Sequence, residues 1–287
     1  MTNTKHKKFI NSEHIGHYAQ LPDGRIHYYE AGNGEPLLLL HTVGQTLFTW
    51  HRCVERLAEF YRVIAVDLPG HGYSDAPMEA GGYAVEKTAE TLVAFMDEIG
   101  LISAHVGAFS LGAIYALALV QSAPERVGRL VLVSPGGITN TMPFSIRSLV
   151  NPLTSWLSAS LLTGRTIDEA LTNCFFDKTM VDANMREQYA QPLAPLAARK
   201  AVVACLRDFD EDNVLGSLRE VENEVLIIWG VDDKWHELDM AQVFHMALKR
   251  VEFSLVRNCG HVVHEEKAGR FCDLTLDFLS GGLQEKV

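Results

Sequence analysis

Residues 105–115 read HVGAFSLGAIY. The stretch places Ser110 between a predicted strand, His105–Ala108, and a predicted helix, Leu111–Ser122. Small residues stand two positions before and two positions after the serine, and a strand and a helix that meet at a sharp turn need this space. Such a turn lifts the hydroxyl above the sheet, and the start of the helix directs backbone N–H groups toward it. The pattern therefore predicts a nucleophile at Ser110.

Short apolar runs alternate with segments of helical periodicity along most of the chain. The predicted strands are a hairpin over His17–Glu30 and the runs Leu37–Leu40, Val63–Val66, His105–Ala108, Leu130–Val133, Val225–Trp229 and Val251–Val256. The predicted helices are Val85–Ile99, Leu111–Ser122, Asp239–Leu248 and Phe271–Leu279. This alternation predicts an α/β fold with a mostly parallel sheet covered on both faces. Functional residues of such sheets lie in the loops at the carboxyl ends of the strands.

One interval breaks the alternation. Between Gly136 and Leu218 the sequence shows no convincing strand, and its apolar residues and prolines indicate helices and irregular chain. We therefore expect a helical cap over residues 136–218, inserted into a core formed by residues 1–135 and 219–287.

Several motifs resemble those of the α/β-hydrolase fold family. The run A-F-S-L-G around Ser110 resembles the family's G-x-S-x-G elbow, with Ala108 in place of the first glycine. DLPGHGYSD, residues 67–75, resembles the loop D-x-x-G-x-G-x-S that follows the third strand. We interpret this loop as scaffold, in which Asp67 binds backbone groups, and we do not expect His71 to be catalytic.

The resemblance implies a catalytic serine, acid and histidine in that order along the chain. The segment VLIIWGVDDKW is a predicted strand that ends in Gly-x-x-Asp, which implies Asp233 as the acid, with Asp232 as its competitor. The segment VEFSLVRNCGHVVHEE is a predicted strand followed by a glycine and His261, which implies His261 as the base. His264 is expected to be a local loop residue whose ring satisfies a backbone group.

The loop HTVGQ, residues 41–45, resembles the family's H-G-x-G loop. Its position implies that the backbone N–H groups of Val43 and Leu111 form the oxyanion hole. Thr42 stands where the family has glycine, and a threonine would resist a positive φ there. In that case Thr42 or Gln45 would offer side-chain polarity to the substrate. The His41 ring is expected to tether the loop.

The expected substrate-binding residues come from the oxyanion loop, the elbow, the cap and the loops of the acid and the base. They are Thr42, Gly44, Phe109, Phe144, Trp156, Trp235 and Val262.

Composition excludes several classes of function. The chain has 287 residues, of which 47% are hydrophobic, and a net charge of −11. An acidic surface repels nucleic acid and anionic membranes, so we expect neither partner. The N-terminal residues lack the apolar core of a secretory signal, and no apolar run reaches the roughly 20 residues of a membrane span. The 5 cysteines are scattered, which favours reduced thiols in a cytoplasmic protein.

The sequence thus predicts a cytoplasmic serine hydrolase, monomer or homodimer, that needs no metal or other cofactor. The expected reaction is cleavage of an ester, thioester or lactone of a small, mainly hydrophobic substrate through an acyl-enzyme. Three alternatives stay open: a C–C bond hydrolase acting on a vinylogous diketone, a lyase of the hydroxynitrile lyase type, and a ligand receptor that retains the triad.

Overall fold

The computed structural model of the chain describes residues 15–77, 79, 81–136 and 155–281, without the side chains of residues 155–157. In this part of the chain eight strands form one sheet. They are β1 (His17–Leu21), β2 (Gly24–Ala31), β3 (Pro36–Leu40), β4 (Arg62–Val66), β5 (Ala104–Phe109), β6 (Val127–Val133), β7 (Val225–Gly230) and β8 (Val251–Val256). Their order across the sheet is β1-β2-β4-β3-β5-β6-β7-β8. The pairs β1–β2 and β2–β4 are antiparallel, and the other five pairs of neighbouring strands are parallel.

Helices connect the strands and cover both faces of the sheet. They are α1 (Val54–Leu57), α2 (Val85–Glu98), α3 (Leu111–Ser122), α4 (Ser155–Leu161), α5 (Gly164–Asn173), α6 (Ala183–Ala190), α7 (Leu196–Asp208), α8 (Asp212–Gly216), α9 (Leu238–Ala247), α10 (Val263–Glu266) and α11 (Ala268–Leu279). Short 3-10 helices add single turns, the first of them at Leu47–Trp50.

The continuous apolar runs of the strands fill two cores, because successive side chains of a strand point to opposite faces. In β3, Leu38 and Leu40 pack in one core with α2, α3 and α9, while Leu37 and Leu39 pack in the other with α1 and α11. Helix α3 is buried along residues 111–120, so it carries no polar face. The helix that follows Ser110 is therefore fixed by packing along most of its length.

The predicted fold class is confirmed, and each predicted strand and helix lies within a few residues of its observed position. The short helices α1 and α10 were not predicted, since four residues are too few to show a periodicity. Between β6 and β7, the described residues form helices and no strand. The division into a core and a cap over residues 136–218 stays a prediction.

No described helix has the length and apolar character that crossing a membrane requires. All five cysteines carry free, buried thiols.

A buried carboxyl group links the helices between β6 and β7 (α4 to α8, here called the inserted helices) to the 3-10 turn that follows β3. The Tyr189 hydroxyl, from α6, donates to Glu265 Oε1 at 2.5 Å, and the Thr49 hydroxyl donates to the same oxygen at 2.8 Å. Glu265 lies in α10 and has no exposed surface. Because the Thr49 hydroxyl gives its hydrogen to Glu265, the oxygen of Thr49 accepts a hydrogen bond from Nε2 of His264 at 2.7 Å. In the neutral ring of His264, Nδ1 is therefore unprotonated.

Burial makes this carboxyl group a weaker acid than usual. It raises the pKa of Glu265 to about 7, although the hydrogen bonds from Tyr189 and Thr49 oppose the shift. Oε2 of Glu265 has no hydrogen-bond partner among the described residues, so no donor stabilises the charged form of the group at that oxygen. The folded protein therefore holds a proton here that the unfolded chain, with an ordinary pKa of 4.5, has already lost at neutral pH.

We predict that Glu265→Gln flattens the pH dependence of stability. Between pH 4.5 and about 7 the unfolded chain binds fewer protons at this position than the folded protein. The free energy of unfolding should therefore fall as the pH rises through this window, by about 3 kcal/mol in total. Glutamine keeps an oxygen for Tyr189 and Thr49 and does not titrate, so its contribution to this slope should vanish.

Urea denaturation at a series of pH values from 5 to about 8 measures the slope. Glu59→Gln, at an exposed glutamate, is the matched control and should leave the slope of the wild type unchanged. An equal slope in Glu265→Gln and wild type would show that Glu265 is ionised throughout this range.

Candidate active site

Ser110 stands at the turn between β5 and α3 with a left-handed backbone. Its φ is 53° and its ψ is −120°, a conformation that side chains rarely adopt and that costs of the order of 1–3 kcal/mol. The N–H of Ser110 donates to the carbonyl of Val133 at 2.9 Å, which ties the turn to β6. The surrounding structure imposes the strained backbone and directs the hydroxyl into a cavity.

Close contacts at the turn explain the small residues around the serine. A Cβ atom at Gly112 would lie 2.3 Å from the carbonyl oxygen of His41. Helix α3 therefore approaches the loop after β3 at a distance that only glycine permits. Ala108 is fully buried, so its methyl group fits where the family pattern has glycine.

The predicted acid and base are in direct contact. Nδ1 of His261 lies 2.7 Å from Oδ2 of Asp233, and both side chains are almost fully buried. Asp233 follows β7, and its Oδ1 accepts from the backbone N–H groups of Trp235 at 2.8 Å and His236 at 3.0 Å. Burial alone would raise the pKa of Asp233, but the charge and hydrogen bond of His261, with those of His236, bring it below its usual value. Asp233 is thus ionised and can stabilise a protonated His261.

The competing assignments are separated by the same contacts. Asp232 accepts only a long hydrogen bond from the N–H of Cys259, at 3.4 Å, and does not contact His261.

The expectation for His264 is wrong in two respects. His264 lies in helix α10, and its ring binds the hydroxyl of Thr49 and no backbone group. His71 is buried, with Nδ1 at 3.0 Å from the carbonyl of Pro69.

The loop after β3 avoids the strain that Thr42 would impose. The positive φ, 73°, falls on Gly44, and no positive φ occurs at Thr42. The Thr42 hydroxyl accepts from the N–H of Leu111 at 3.3 Å, so one predicted oxyanion donor is engaged by this side chain. Val43 lines the cavity beside it.

His41 and Asp67 hold this loop in place. The His41 ring accepts from the N–H of Leu68 at 2.9 Å through Nε2 and donates through Nδ1 to the carbonyl of Thr42 at 2.6 Å. Burial lowers the pKa of His41 to about 3, so the ring is neutral. Asp67 accepts from the backbone N–H groups of Leu47 at 2.8 Å and Tyr73 at 3.0 Å, as predicted for a scaffold residue.

Glu266 fixes the loop that carries the base. Its carboxylate accepts from the N–H groups of Gly260 at 2.7 Å, Phe176 at 3.1 Å and Asp177 at 2.7 Å. The N–H of His261 itself donates to the carbonyl of Cys174 at 2.7 Å. The position of His261 thus depends on the segment that follows α5.

Ser110 and His261 open onto one cavity between the sheet and the inserted helices. Of the predicted residues, Thr42, Val43, Gly44, Phe109, Leu111 and Trp235 also line it. Val262 does not: it is fully buried in the core under the sheet, so the prediction that it binds substrate is wrong. Phe144 lies outside the described residues, and so does the side chain of Trp156, whose backbone belongs to α4.

Sequence reasoning missed most of the wall that the inserted helices provide. Not every large apolar side chain of the segment between β6 and β7 faces the cavity: Leu161 and Phe176 are exposed, and Phe175 is buried in the core. The described lining residues of this wall are Leu162, Thr166, Ile167, Ala170, Leu171, Cys174, Tyr189, Leu193, Val202 and Leu206. The spacing of Thr166, Ile167, Ala170, Leu171 and Cys174 is that of one helix face and was a usable signal. His236 was also missed, whereas Gln45, which the sequence analysis named as a source of side-chain polarity, lines the cavity.

One group of described residues has the composition of a metal site. Asp233, His236 and His261 each offer a donor atom, and these atoms lie within 4.8 Å of one another. The hydrogen bond between Asp233 and His261 already engages two of these groups. We assign the group to acid–base chemistry, and the expectation that no metal is needed stays a prediction.

Comparisons with known proteins agree with this geometry. A family profile described as alpha/beta hydrolase fold matches residues 35–268. A 2-hydroxy-6-oxononadienedioate/2-hydroxy-6-oxononatrienedioate hydrolase of Paraburkholderia phymatum is 30% identical over 97% of this chain and 99% of its own length. A 2-hydroxy-6-oxo-6-phenylhexa-2,4-dienoate hydrolase of Burkholderia cepacia is 29% identical over 96% of both chains.

Solved structures show the same fold. A meta-cleavage product hydrolase from Pseudomonas fluorescens IP01 superposes with a TM-score of 0.80 at 21% identity, covering 94% of this chain and 100% of its own. An enol-lactonase from Burkholderia xenovorans LB400 reaches 0.77 at 20% identity, covering 92% of this chain and 99% of its own. With a strained serine elbow, a paired acid and base, and a family match over most of its length, the chain belongs to the α/β hydrolase fold family.

Proposed function

We propose that this hydrolase cleaves a C–C bond next to a ketone carbonyl in a small, mainly apolar substrate, with Ser110 as nucleophile, His261 as base and Asp233 as the acid that orients it. The observation that carries the serine chemistry is the strained elbow of Ser110, which opens onto the same cavity as His261 with Asp233 behind it. The named activities of full-length relatives support the choice of a C–C bond.

The first half of the reaction forms an acyl-enzyme. Oγ of Ser110 attacks the ketone carbon while the imidazole of His261 takes its proton. Asp233 fixes the proton on Nδ1 of His261 and stabilises the imidazolium. The carbonyl oxygen becomes an oxyanion, and the N–H groups of Leu111 and Val43 are placed to bind it. For Leu111 this means exchanging the Thr42 hydroxyl, a weak partner at 3.3 Å, for a charged oxygen.

Breaking the C–C bond requires a stabilised carbon leaving group. The electron pair of that bond leaves as an enolate, which needs a second conjugated carbonyl in the substrate, as in a vinylogous diketone. The imidazolium of His261 then donates its proton to the leaving carbon. Water attacks the ester of Ser110 with His261 as base, and the carboxylic acid product leaves. A 2-hydroxydienoate enters this cycle as its keto tautomer, the vinylogous diketone, in which the hydroxyl proton has moved to the carbon that leaves. The later protons of the cycle pass through His261.

The cavity is electrically neutral along its described lining. It contains no Lys, Arg, Asp or Glu among the residues that the structure describes. The dioate in the relative of P. phymatum carries a carboxylate at each end, whereas the phenyl substrate in the relative of B. cepacia carries an apolar ring at one end. A neutral, apolar wall favours an acyl half of the second kind.

Hydrolysis of a carboxylic ester or lactone is the second candidate. The same neutral cavity favours it, because an uncharged ester needs no cation to bind it. The chemistry of Ser110, His261 and Asp233 would be unchanged, with an alcohol in place of the carbon leaving group. The lyase and receptor alternatives gain no support from the names of the relatives.

The nucleophile is tested by labelling with a fluorophosphonate probe, which reacts with activated serines. Wild type should be labelled at Ser110, and Ser110→Ala should lose labelling and about 10⁴-fold or more of its turnover. Ser122→Ala, at the exposed far end of the same helix, is the matched control and should label as wild type. Equal labelling of Ser110→Ala and wild type would refute the assignment.

Substrate selection is tested by comparing three probes. These are 2-hydroxy-6-oxo-6-phenylhexa-2,4-dienoate, 2-hydroxy-6-oxononadienedioate and 4-nitrophenyl butyrate. We expect turnover of the phenyl compound, with a kcat/KM at least about tenfold above that of the dioate, because the dioate carries a second carboxylate on its acyl half and must bury it without a cation. The loss of the dienoate chromophore measures both rates. Turnover of the ester alone would overturn the C–C proposal in favour of the second candidate.

A further inference from the structure

His236 introduces a polar ring into the wall of an otherwise mainly apolar cavity. It stands three residues after Asp233 and is 2% exposed. Its ring meets that of His261 edge-on, with 4.7 Å between the ring centres. The residue therefore lies beside the reacting groups, yet no step of the mechanism uses it.

The hydrogen bonds of His236 define which nitrogen carries its proton. Nδ1 lies 3.2 Å from the carbonyl oxygen of Ser134, which can only accept, so Nδ1 carries the hydrogen. Burial, and the neighbouring His261, lower the pKa of His236 to about 4, so the ring is neutral near pH 7. Nε2 then holds a lone pair, and no described residue donates a hydrogen bond to it. Among the described residues, Nε2 of His236 is therefore an acceptor in the cavity wall that receives no hydrogen bond.

Two features of the backbone make room for this ring and orient it. Ser134, at the end of β6, has a φ of 41°, a strained value that turns its carbonyl oxygen toward Nδ1. A Cβ atom at Gly136 would lie 2.7 Å from both Cε1 and Nδ1 of the ring. The glycine therefore provides the space that the imidazole occupies. The hydrogen bond to Ser134 and the close contact with Gly136 therefore fix the His236 ring in the cavity wall.

An acceptor in a cavity wall loses its contact with water when a substrate fills the cavity, and this costs free energy unless the substrate brings a donor of its own. A hydroxyl or N–H group on the substrate would donate to Nε2, whereas a carbonyl or ether oxygen would leave it unpaired. The amide of Gln45, also in the wall, can either donate or accept and so does not select between these groups. Nε2 of His236 can only accept, so it favours substrates that carry a hydroxyl or N–H group at this position.

We propose that His236 is a substrate-binding residue whose Nε2 accepts a hydrogen bond from a hydroxyl or N–H group of the acyl half of the substrate. The enzyme therefore prefers acyl groups that carry such a donor over the same groups with the donor blocked. This inference rests on the proposed function, because it requires the substrate to acylate Ser110.

The test uses 4-nitrophenyl esters of 3- and 4-hydroxybenzoate and of the matching methoxybenzoates. The rigid ring places the donor at two distances from the scissile carbonyl, and methylation removes only the hydrogen. For at least one isomer, wild type should show a hydroxy-to-methoxy ratio of kcat/KM that falls about tenfold in His236→Leu and His236→Phe. His236→Gln, whose amide oxygen can accept, should retain more of the ratio than either.

His245→Leu, at an exposed histidine of α9, is the matched control and should leave both ratios as in wild type. The inference is overturned if both ratios stay within about twofold of wild type in the folded Leu or Phe variant. Labelling of wild type by the fluorophosphonate probe separates the two claims. If wild type is labelled at Ser110 and the ratios do not change in the His236 variants, only the role of His236 is refuted. If wild type is not labelled, the proposed function is refuted.

Discussion

The geometry of the site depends on the left-handed backbone of Ser110. With φ at 53°, the chain turns from β5 directly into α3, and the turn is compact enough for Gly112 to reach the carbonyl of His41. That approach brings the N–H of Leu111 to the loop after β3, where Thr42 and Val43 lie. Helix α3, which is buried along residues 111–120, anchors the turn from the other side. Packing of the core thus offsets the strain that holds the nucleophile in position.

The carboxyl groups around the site lie outside the described cavity wall. The described cavity wall is neutral, and the carboxylates lie behind it, where each has hydrogen-bond donors. Asp233 binds His261, and Glu266 binds three backbone N–H groups. Glu265 binds Tyr189 and Thr49, and its pKa is raised to about 7. Buried carboxyl groups are tolerated only with such partners. They fix the base and the inserted helices without placing a negative charge beside the substrate.

Much of the catalytic constellation was accessible from sequence because local patterns determine it. The elbow, the Gly-x-x-Asp turn and the Gly-His pair each sit at the end of a strand, and parallel strands bring these ends to one edge of the sheet. Asp233 could be separated from Asp232 only in three dimensions, where one contacts His261 and the other does not.

The cavity wall was less predictable for a physical reason. Its residues come from helices whose packing depends on contacts far along the chain, such as Tyr189 with Glu265. Val262 follows the base in sequence but faces the core, because the short helix α10 begins there. No sequence pattern indicates His236, because the position of its ring depends on Ser134 and Gly136, about 100 residues earlier in the chain.

A crystal structure of the fluorophosphonate adduct tests the central claim most directly, since the phosphonyl group resembles the tetrahedral intermediate of acylation. The account predicts that phosphorus is bonded to Oγ of Ser110, and that its oxygen accepts from the N–H groups of Leu111 and Val43 after Leu111 has released the Thr42 hydroxyl. His261 should remain bound to Asp233. An adduct on another residue, or a phosphonyl oxygen turned away from both N–H groups, would contradict it.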